Sequence, residues 1–240
     1  PTFAYKITYK IIYSLLFHIL KMRKKVVLTN LKWAFPNKDN LWYKKTMKLC
    51  YQFYTKEFLD FLSFPKYYNN SKIHFLNLEV LLEALAKRKG VILIGSHFGS
   101  FDKLFYAMSK KGIDLTGVAY KQNNSGSDIF FKKIREQFMT NQLYKGGDIH
   151  LLNEALSQNN VLILLSDQDA KNKGAMVRFF NIDSSTHSGA AILSKRKQCP
   201  LIYSSITKIN ESYEVKFDEI NINNSVADIV QAYTSKIEKT

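Results

Sequence analysis

Two short runs of unbroken apolar residues, Val91-Ile92-Leu93-Ile94 and Val161-Leu162-Ile163-Leu164-Leu165, constrain the fold more than any other feature of the chain. Each is too short for a buried helix. Each stops at a polar turn, Gly95-Ser96-His97 after the first and Ser166-Asp167-Gln168 after the second. A strand that is apolar at every position must be covered on both faces, which is the condition of a parallel strand inside an α/β sheet. Between and after the two runs, helical patterns occupy residues 100–108, 128–139, 149–156 and 189–197. Further strands are expected at 113–121 and 176–180, with 201–208 and 213–217 as a pair of edge strands. All ten glycines fall between Gly90 and Gly189, so tight turns are concentrated in the same stretch. The expected fold class is α/β: a mixed, largely parallel central sheet flanked by helices.

The N-terminal part reads differently. Residues 1–65 are expected to form a basic, membrane-proximal helical region, with an aromatic-rich helix over 41–64 broken by Pro65. Residues 66–240 then form the α/β domain, one structural unit with the preceding helices. Of the formal net charge of +15, residues 1–48 supply most, with eleven Lys or Arg against the single acid Asp39. Lys6, Lys10, Lys21, Arg23, Lys24 and Lys25 are interleaved with Ile7, Ile11, Ile12, Leu15, Leu16, Ile19 and Leu20. That mixture suits an anionic membrane surface. The alternative is an ordinary amphipathic helix packed on its own domain. The apolar run over 5–20 is shorter than the roughly 20 residues needed to span a bilayer. Because the chain begins at Pro1 rather than Met, a fragment is expected, with a longer hydrophobic segment upstream.

The two cysteines, Cys50 and Cys199, lie far apart with no Cys/His clustering. This points to a reducing compartment and away from a disulfide framework or a structural metal. No cleavable signal peptide is recognisable. A basic chain of this kind could also hold nucleic acid, but no nucleic-acid motif accompanies the charge, and such a reading leaves His97 unexplained.

Sites in open α/β sheets form beyond the carboxyl ends of strands. His97 occupies such a place, and Asp102 follows it by five residues across a strand-to-helix turn. An Asp that accepts from one imidazole nitrogen fixes the tautomer and leaves the other nitrogen as a base. The plain alternative is a satisfied turn histidine with a helix-capping aspartate. Phe131, Ile134, Arg135 and Phe138 follow i, i+3, i+4, i+7 spacing, which places the guanidinium of Arg135 on an apolar face. There it needs a partner, either Asp167 or a substrate phosphate. Asp167 and Gln168 orient Arg135 or His97, or simply form a strand-end turn. His18, His74 and His150 carry no such signal, and His187 precedes a helix start, where capping is the natural role. Cys199 reads as a small buried residue.

The segment Gly95-Ser96-His97-Phe98-Gly99-Ser100-Phe101-Asp102 resembles the H-x4-D/E motif of the lysophospholipid acyltransferase superfamily. Asn30-Leu31 with Ala34-Phe35-Pro36, Arg135-Glu136-Gln137-Phe138, Asp167-Gln168-Asp169 and Phe179-Phe180-Asn181 resemble, in order, elements of the bacterial lipid A late acyltransferases, the lauroyl and myristoyl transferases. Thr186, Gly189-Ala190-Ala191 and Pro200-Leu201-Ile202 continue the similarity, which spans roughly residues 20–210. The sequence departs from the family pattern in several places. Asp102 stands where these enzymes often carry Glu, Asn181 where glycine is usual, and Met139-Thr140 where glycine follows Phe138. The C-terminal Trp- and Arg-rich element is absent after Ile220, so truncation at both ends is expected. The resemblance implies transfer of a fatty acyl group from an acyl carrier protein or acyl-CoA thioester to a hydroxyl of a lipid A precursor, with His97 and Asp102 catalytic and Arg135, Asp167 and Gln168 binding substrate. It implies no metal, no cofactor and no nucleic-acid partner. The expected location is the cytoplasmic face of a bacterial inner membrane. A lysophospholipid or glycerol phosphate acyltransferase is the neighbouring alternative, and a basic membrane- or nucleic-acid-binding protein is the non-enzymatic one.

Overall fold

Both apolar runs are strands, β2 (Val91–Gly95) and β5 (Val161–Leu165), and they lie side by side in parallel with Gly95 opposite Leu165. The computed structural model describes residues 2–69, 71–147 and 149–240. By its internal contacts the chain divides into two units, residues 1–70 with 180–182, and residues 71–179 with 183–240.

The larger unit is built on a seven-stranded sheet in the order β1-β9-β8-β2-β5-β3-β4. Its other strands are β1 (Lys72–Phe75), β3 (Leu115–Ala119), β4 (Asn141–Tyr144), β8 (Leu201–Ile209) and β9 (Ser212–Ile220). Every neighbouring pair is parallel except β8 and β9, which form an antiparallel hairpin. The fold is therefore α/β with a mixed, mostly parallel sheet. Along β2 and its neighbours, Ile92, Ile94, Leu162, Leu201 and Tyr203 point into one apolar core, shared with α9 (Gly189–Lys197) and α10 (Val226–Lys239). Alternation sends Val91, Leu93 and Ile163 to the opposite face, so β2 is buried at every residue. The remaining helices of this unit are α5 (Leu78–Ala86), α6 (Phe101–Ser109), α7 (Ser125–Arg135) and α8 (Ile149–Ser157). A small second sheet pairs β6 (Ala175–Phe179) with β7 (Ile182–Thr186). Phe180 and Asn181 at its turn both have positive φ, 49° and 61°. Asparagine tolerates that region better than most side chains, which accounts for Asn181 in a position where the family pattern has glycine.

Three expectations need correction. Residues 201–208 and 213–217 are not edge strands: β8 lies between β9 and β2, and the short β1 covers the outer side of β9. The helix expected over 128–139 starts earlier and ends earlier. Asn124 caps it by accepting the Ser127 N–H at 2.9 Å, and the chain leaves the helix after Arg135 to enter β4. Phe138 is buried, but in the turn beyond the helix.

The smaller unit contains α1 (Phe3–Ser14), a π-helical turn (Leu15–Ile19), α2 (Lys24–Ala34), α3 (Asn40–Leu62) and the single turn α4 (Lys66–Asn69). Asp39 caps α3 by accepting the Trp42 N–H at 2.7 Å. The ring face of α1 packs on α3. Tyr5 donates its hydroxyl to Asp60 at 2.6 Å, Tyr9 donates to the Gln52 carbonyl at 3.4 Å, and Tyr13 stacks on Phe17. Phe3, Ile7, Ile11, Leu15 and Ile19, spaced by four, form an exposed stripe, with Phe3 80 % and Ile19 70 % accessible. Among the described residues no helix is long and apolar enough to cross a membrane.

Asp60 is nearly fully buried and also bonds Lys56 at 2.5 Å. Burial, with Asp60 beside it, pushes the Tyr5 hydroxyl well above the usual phenol range, so the phenol stays a donor to the carboxylate. Replacing it leaves a buried charged acceptor short of one bond. Tyr5→Phe is expected to lower unfolding free energy by about 1.5–3 kcal/mol in urea titration. A change within about 0.5 kcal/mol, the range of ordinary surface substitutions, would show that this bond does not hold α1 to α3.

Candidate active site

The parallel register of β2 and β5 decides which residues meet beyond their ends. Ser166 donates its N–H to the Gly95 carbonyl at 3.1 Å, which carries the pairing one residue past the strands. The next positions are His97 and Asp167. The carboxylate of Asp167 takes His97 at two points: Oδ2 accepts the backbone N–H at 3.1 Å, and Oδ1 lies 2.8 Å from ring Nδ1. A carboxylate facing Nδ1 selects the tautomer protonated there, in which Nε2 is the ring nitrogen that carries the basic lone pair. The two side chains are 39 % and 21 % exposed, so the imidazole is open to solvent while the carboxylate that faces it is more enclosed. The Phe101 ring meets the imidazole edge-on at 5.4 Å.

The turn after His97 is held by a close approach. Gly99 adopts φ +69°, and a Cβ there would sit 2.4 Å from the Ile206 carbonyl oxygen of β8. No side chain fits that space, so the turn can press against the sheet only with glycine in place. α6 starts two residues later, with Asp102 in its first turn, partly buried. A shallow, mostly apolar recess is lined by Ser96, Phe98, Phe101, Leu104, Phe105 and Ile206, residues on both sides of His97.

The five residues singled out from the sequence come from several elements: the turn after β2, α6, α7 and the turn after β5. His97 and Asp167 are bonded. The role expected of Asp102 at the imidazole nitrogen, fixing the tautomer, is filled at Nδ1 by Asp167, which lies 70 residues on. Arg135 sits at the end of α7, where Nη1 donates to Gln142 of β4 at 3.3 Å and the guanidinium lies 5.8 Å from the Phe131 ring centre. Its protein partner is therefore Gln142 and not Asp167. Gln168 is exposed, just past Asp167. His187 does not cap α9, whose N-cap is Ser188. Instead its Nε2 lies 3.3 Å from Nζ of Lys145. Burial, and then the Lys145 charge, hold the His187 imidazole below its ordinary pKa.

Sequence reasoning passed over Lys145 and Tyr120, each one residue beyond a strand. Their position at carboxyl ends was the signal available. Nearby, Asp128 accepts the Gln122 N–H at 2.8 Å and the Tyr144 hydroxyl at 2.6 Å, and these bonds hold its carboxyl below the usual range. They fasten the loop after β3 to the end of β4. Cys199 is completely buried, and burial pushes its thiol up, away from thiolate chemistry. Among the described residues no group of three His, Cys, Asp or Glu side chains is placed to hold a metal ion.

The family model for bacterial lipid A biosynthesis acyltransferases matches residues 1–240. No curated protein matches the chain.

Gly112 offers an internal comparison for Gly99, since it has φ +76° with nothing within 4 Å of an added Cβ. Gly112→Ala is expected to cost about 1 kcal/mol from backbone strain alone. Gly99→Ala carries the same strain plus the clash with β8. It is expected to cost measurably more in denaturant titration and to lower turnover at least about tenfold, because a displacement near 1 Å at a catalytic group is worth more than that. Equal effects of the two substitutions would remove the close approach as the device that places His97.

Proposed function

From its membership of the bacterial lipid A biosynthesis acyltransferase family, which makes this chain an acyltransferase of that pathway, we propose that it moves a fatty acyl group from an acyl carrier protein or acyl-CoA thioester to a hydroxyl of a lipid A precursor, with His97 as the general base. The observation that carries the mechanistic part is the bond between His97 Nδ1 and Asp167. Nε2 takes the proton of the acceptor hydroxyl as its oxygen attacks the thioester carbonyl carbon. Collapse of the tetrahedral intermediate breaks the carbon–sulfur bond, and the thiolate leaves with the proton that His97 returns. The sum is thioester plus alcohol giving ester plus thiol, with no external reactant. Base catalysis of this kind is worth about 10²- to 10⁴-fold.

Asp167 keeps the imidazole in the working tautomer and stabilises the imidazolium that forms. Asp102, in the first turn of α6, is assigned as the second member of the motif's catalytic pair. Arg135 uses one of its five N–H donors on Gln142 and is assigned with Gln168 to substrate binding.

The membrane-proximal role of the N-terminal unit rests on the exposed Phe3, Ile7, Ile11, Leu15 and Ile19 beside Lys6, Lys10, Lys21, Arg23, Lys24 and Lys25. An apolar stripe bordered by cations fits the interface of an anionic bilayer. With both cysteines free, the cytoplasmic face of the inner membrane is the proposed location.

Mass spectrometry of lipid A from an acyltransferase-deficient bacterium expressing the full-length protein tests the activity. One added acyl chain is expected, lost with His97→Ala and reduced about 10²- to 10⁴-fold in vitro with Asp167→Asn, which leaves the wrong tautomer. No added chain from well-expressed protein, with labelling of a lysophospholipid instead, would move the acceptor to the glycerolipids. Co-sedimentation with vesicles tests the surface. Binding is expected with phosphatidylglycerol and not with phosphatidylcholine alone. Ile11→Asp with Ile19→Asp should weaken it at least about tenfold, each buried aliphatic side chain being worth about 1.5–3 kcal/mol. Equal binding by the double variant would remove the stripe from the membrane contact.

A further inference from the structure

The carboxyl ends of the strands carry a second cluster that the proton transfer at His97 does not use. Lys145, the residue after β4, places Nζ 2.5 Å from the hydroxyl of Tyr120, the residue after β3, and 3.3 Å from Nε2 of His187, the residue after β7. An ammonium only donates, so opposite it His187 presents the Nε2 lone pair. Its lowered pKa agrees with a neutral ring there. Among the described residues no carboxylate lies within ion-pair distance of Lys145. The acids that act on His187 are Asp167 and Asp169. Asp167 is committed to His97, and Asp169 accepts the Lys171 N–H at 2.8 Å.

Among the described residues, three groups from three different elements thus converge without a bonded counter-anion: an ammonium, an imidazole and a phenol whose own proton is available to be donated. An anion placed among them would receive a donor from each, because its charge favours protonation of His187 and converts the lysine-facing acceptor into a donor. A tetrahedral phosphate group, with oxygens in more than one plane, matches three converging donors better than a planar carboxylate does. The cluster is also tied to the reacting end. Asp167, bonded to His97, is close enough to His187 to act on its charge.

We propose that Lys145, His187 and Tyr120 form a phosphate-binding subsite that holds the phosphate of a substrate while the reacting group of that substrate lies at His97. The proposal rests on the reading of His97 as the acyl-transfer base. Two substrates of such a reaction can carry the phosphate: the lipid acceptor through its headgroup, or the thioester donor through its phosphopantetheine arm.

A binding measurement that needs no turnover tests the subsite itself. In the full chain with ¹⁵N-labelled histidine, titration with inorganic phosphate is expected to move the His187 ring nitrogens toward the protonated form, and to leave them unmoved in Lys145→Met. No movement in the unsubstituted protein overturns the proposal. Kinetics then identify the source. Lys145→Met is expected to raise KM about tenfold or more for the substrate that carries the phosphate, the scale of one charge-assisted hydrogen bond, while Lys145→Arg retains most of the affinity. A rise for the phosphorylated acceptor that disappears with the dephosphorylated acceptor assigns the subsite to the acceptor. A rise for the donor assigns it to the phosphopantetheine arm. An unchanged KM for both overturns the proposal. If the unsubstituted protein acylates no acceptor, the reading of His97 fails, and the phosphate titration still decides the subsite.

Discussion

The two-point hold of Asp167 on His97 organises the candidate site. One carboxylate oxygen takes the backbone N–H and the other faces the ring, so the same side chain fixes the position of the residue and the state of its imidazole. The arrangement is possible only because β2 and β5 are adjacent, parallel and in register to their last residues. A shift of one residue in that register would turn every side chain to the opposite face and carry Asp167 away from His97. Register is secured in turn by burial: both strands are apolar on both faces, and any slip would expose or strand core side chains. The chemistry at the end of the sheet is thus an outcome of packing at its centre.

Gly99 adds a second constraint of a different kind. The turn that carries His97 must pass close to the β8 backbone before α6 begins, and the space left there admits no Cβ. A histidine at a strand end would otherwise sit on a loop free to adopt several conformations. Held by Asp167 before the turn and by the Gly99 contact after it, the imidazole is fixed on a rigid element, which is what acid–base catalysis requires of its base.

What could be read from the sequence follows the same physics. The strands β2 and β5, the helices α6, α8 and α9, and the place of His97 in the turn after β2 all have strong local signals: unbroken apolar runs, helical spacing, and a polar turn after a buried strand. β1 and β4 were missed because they are four-residue edge strands of mixed polarity, with nothing periodic to detect. α10 was passed over although Val226, Ile229, Val230, Tyr233 and Ile237 follow helical spacing, and its core contacts make it part of the sheet's cover. The carboxylate at Nδ1 could be narrowed only to two candidates. Asp102 was favoured by nearness in sequence, whereas strand adjacency, which no single-sequence pattern encodes, brings Asp167 to the ring. The helical face that carries Arg135 was likewise extrapolated three residues past the point where the helix ends.

An exposed base raises a question of selectivity that the fold answers only in part. With its side chain 39 % accessible, His97 in the proposed role of base would meet water as well as an acceptor hydroxyl, and water would hydrolyse the thioester. Discrimination must then come from binding energy that the acceptor supplies and water cannot. A lipid acceptor has two such sources, apolar contact and headgroup charge. The recess beside His97 offers Phe98, Phe101, Leu104 and Ile206 for the first, and the proposed subsite around Lys145 would offer the second. An acceptor that engages both covers the imidazole as it binds, so the water-excluding wall of the site arrives with the substrate. Open geometry in the free protein and selective transfer in the complex are then consistent.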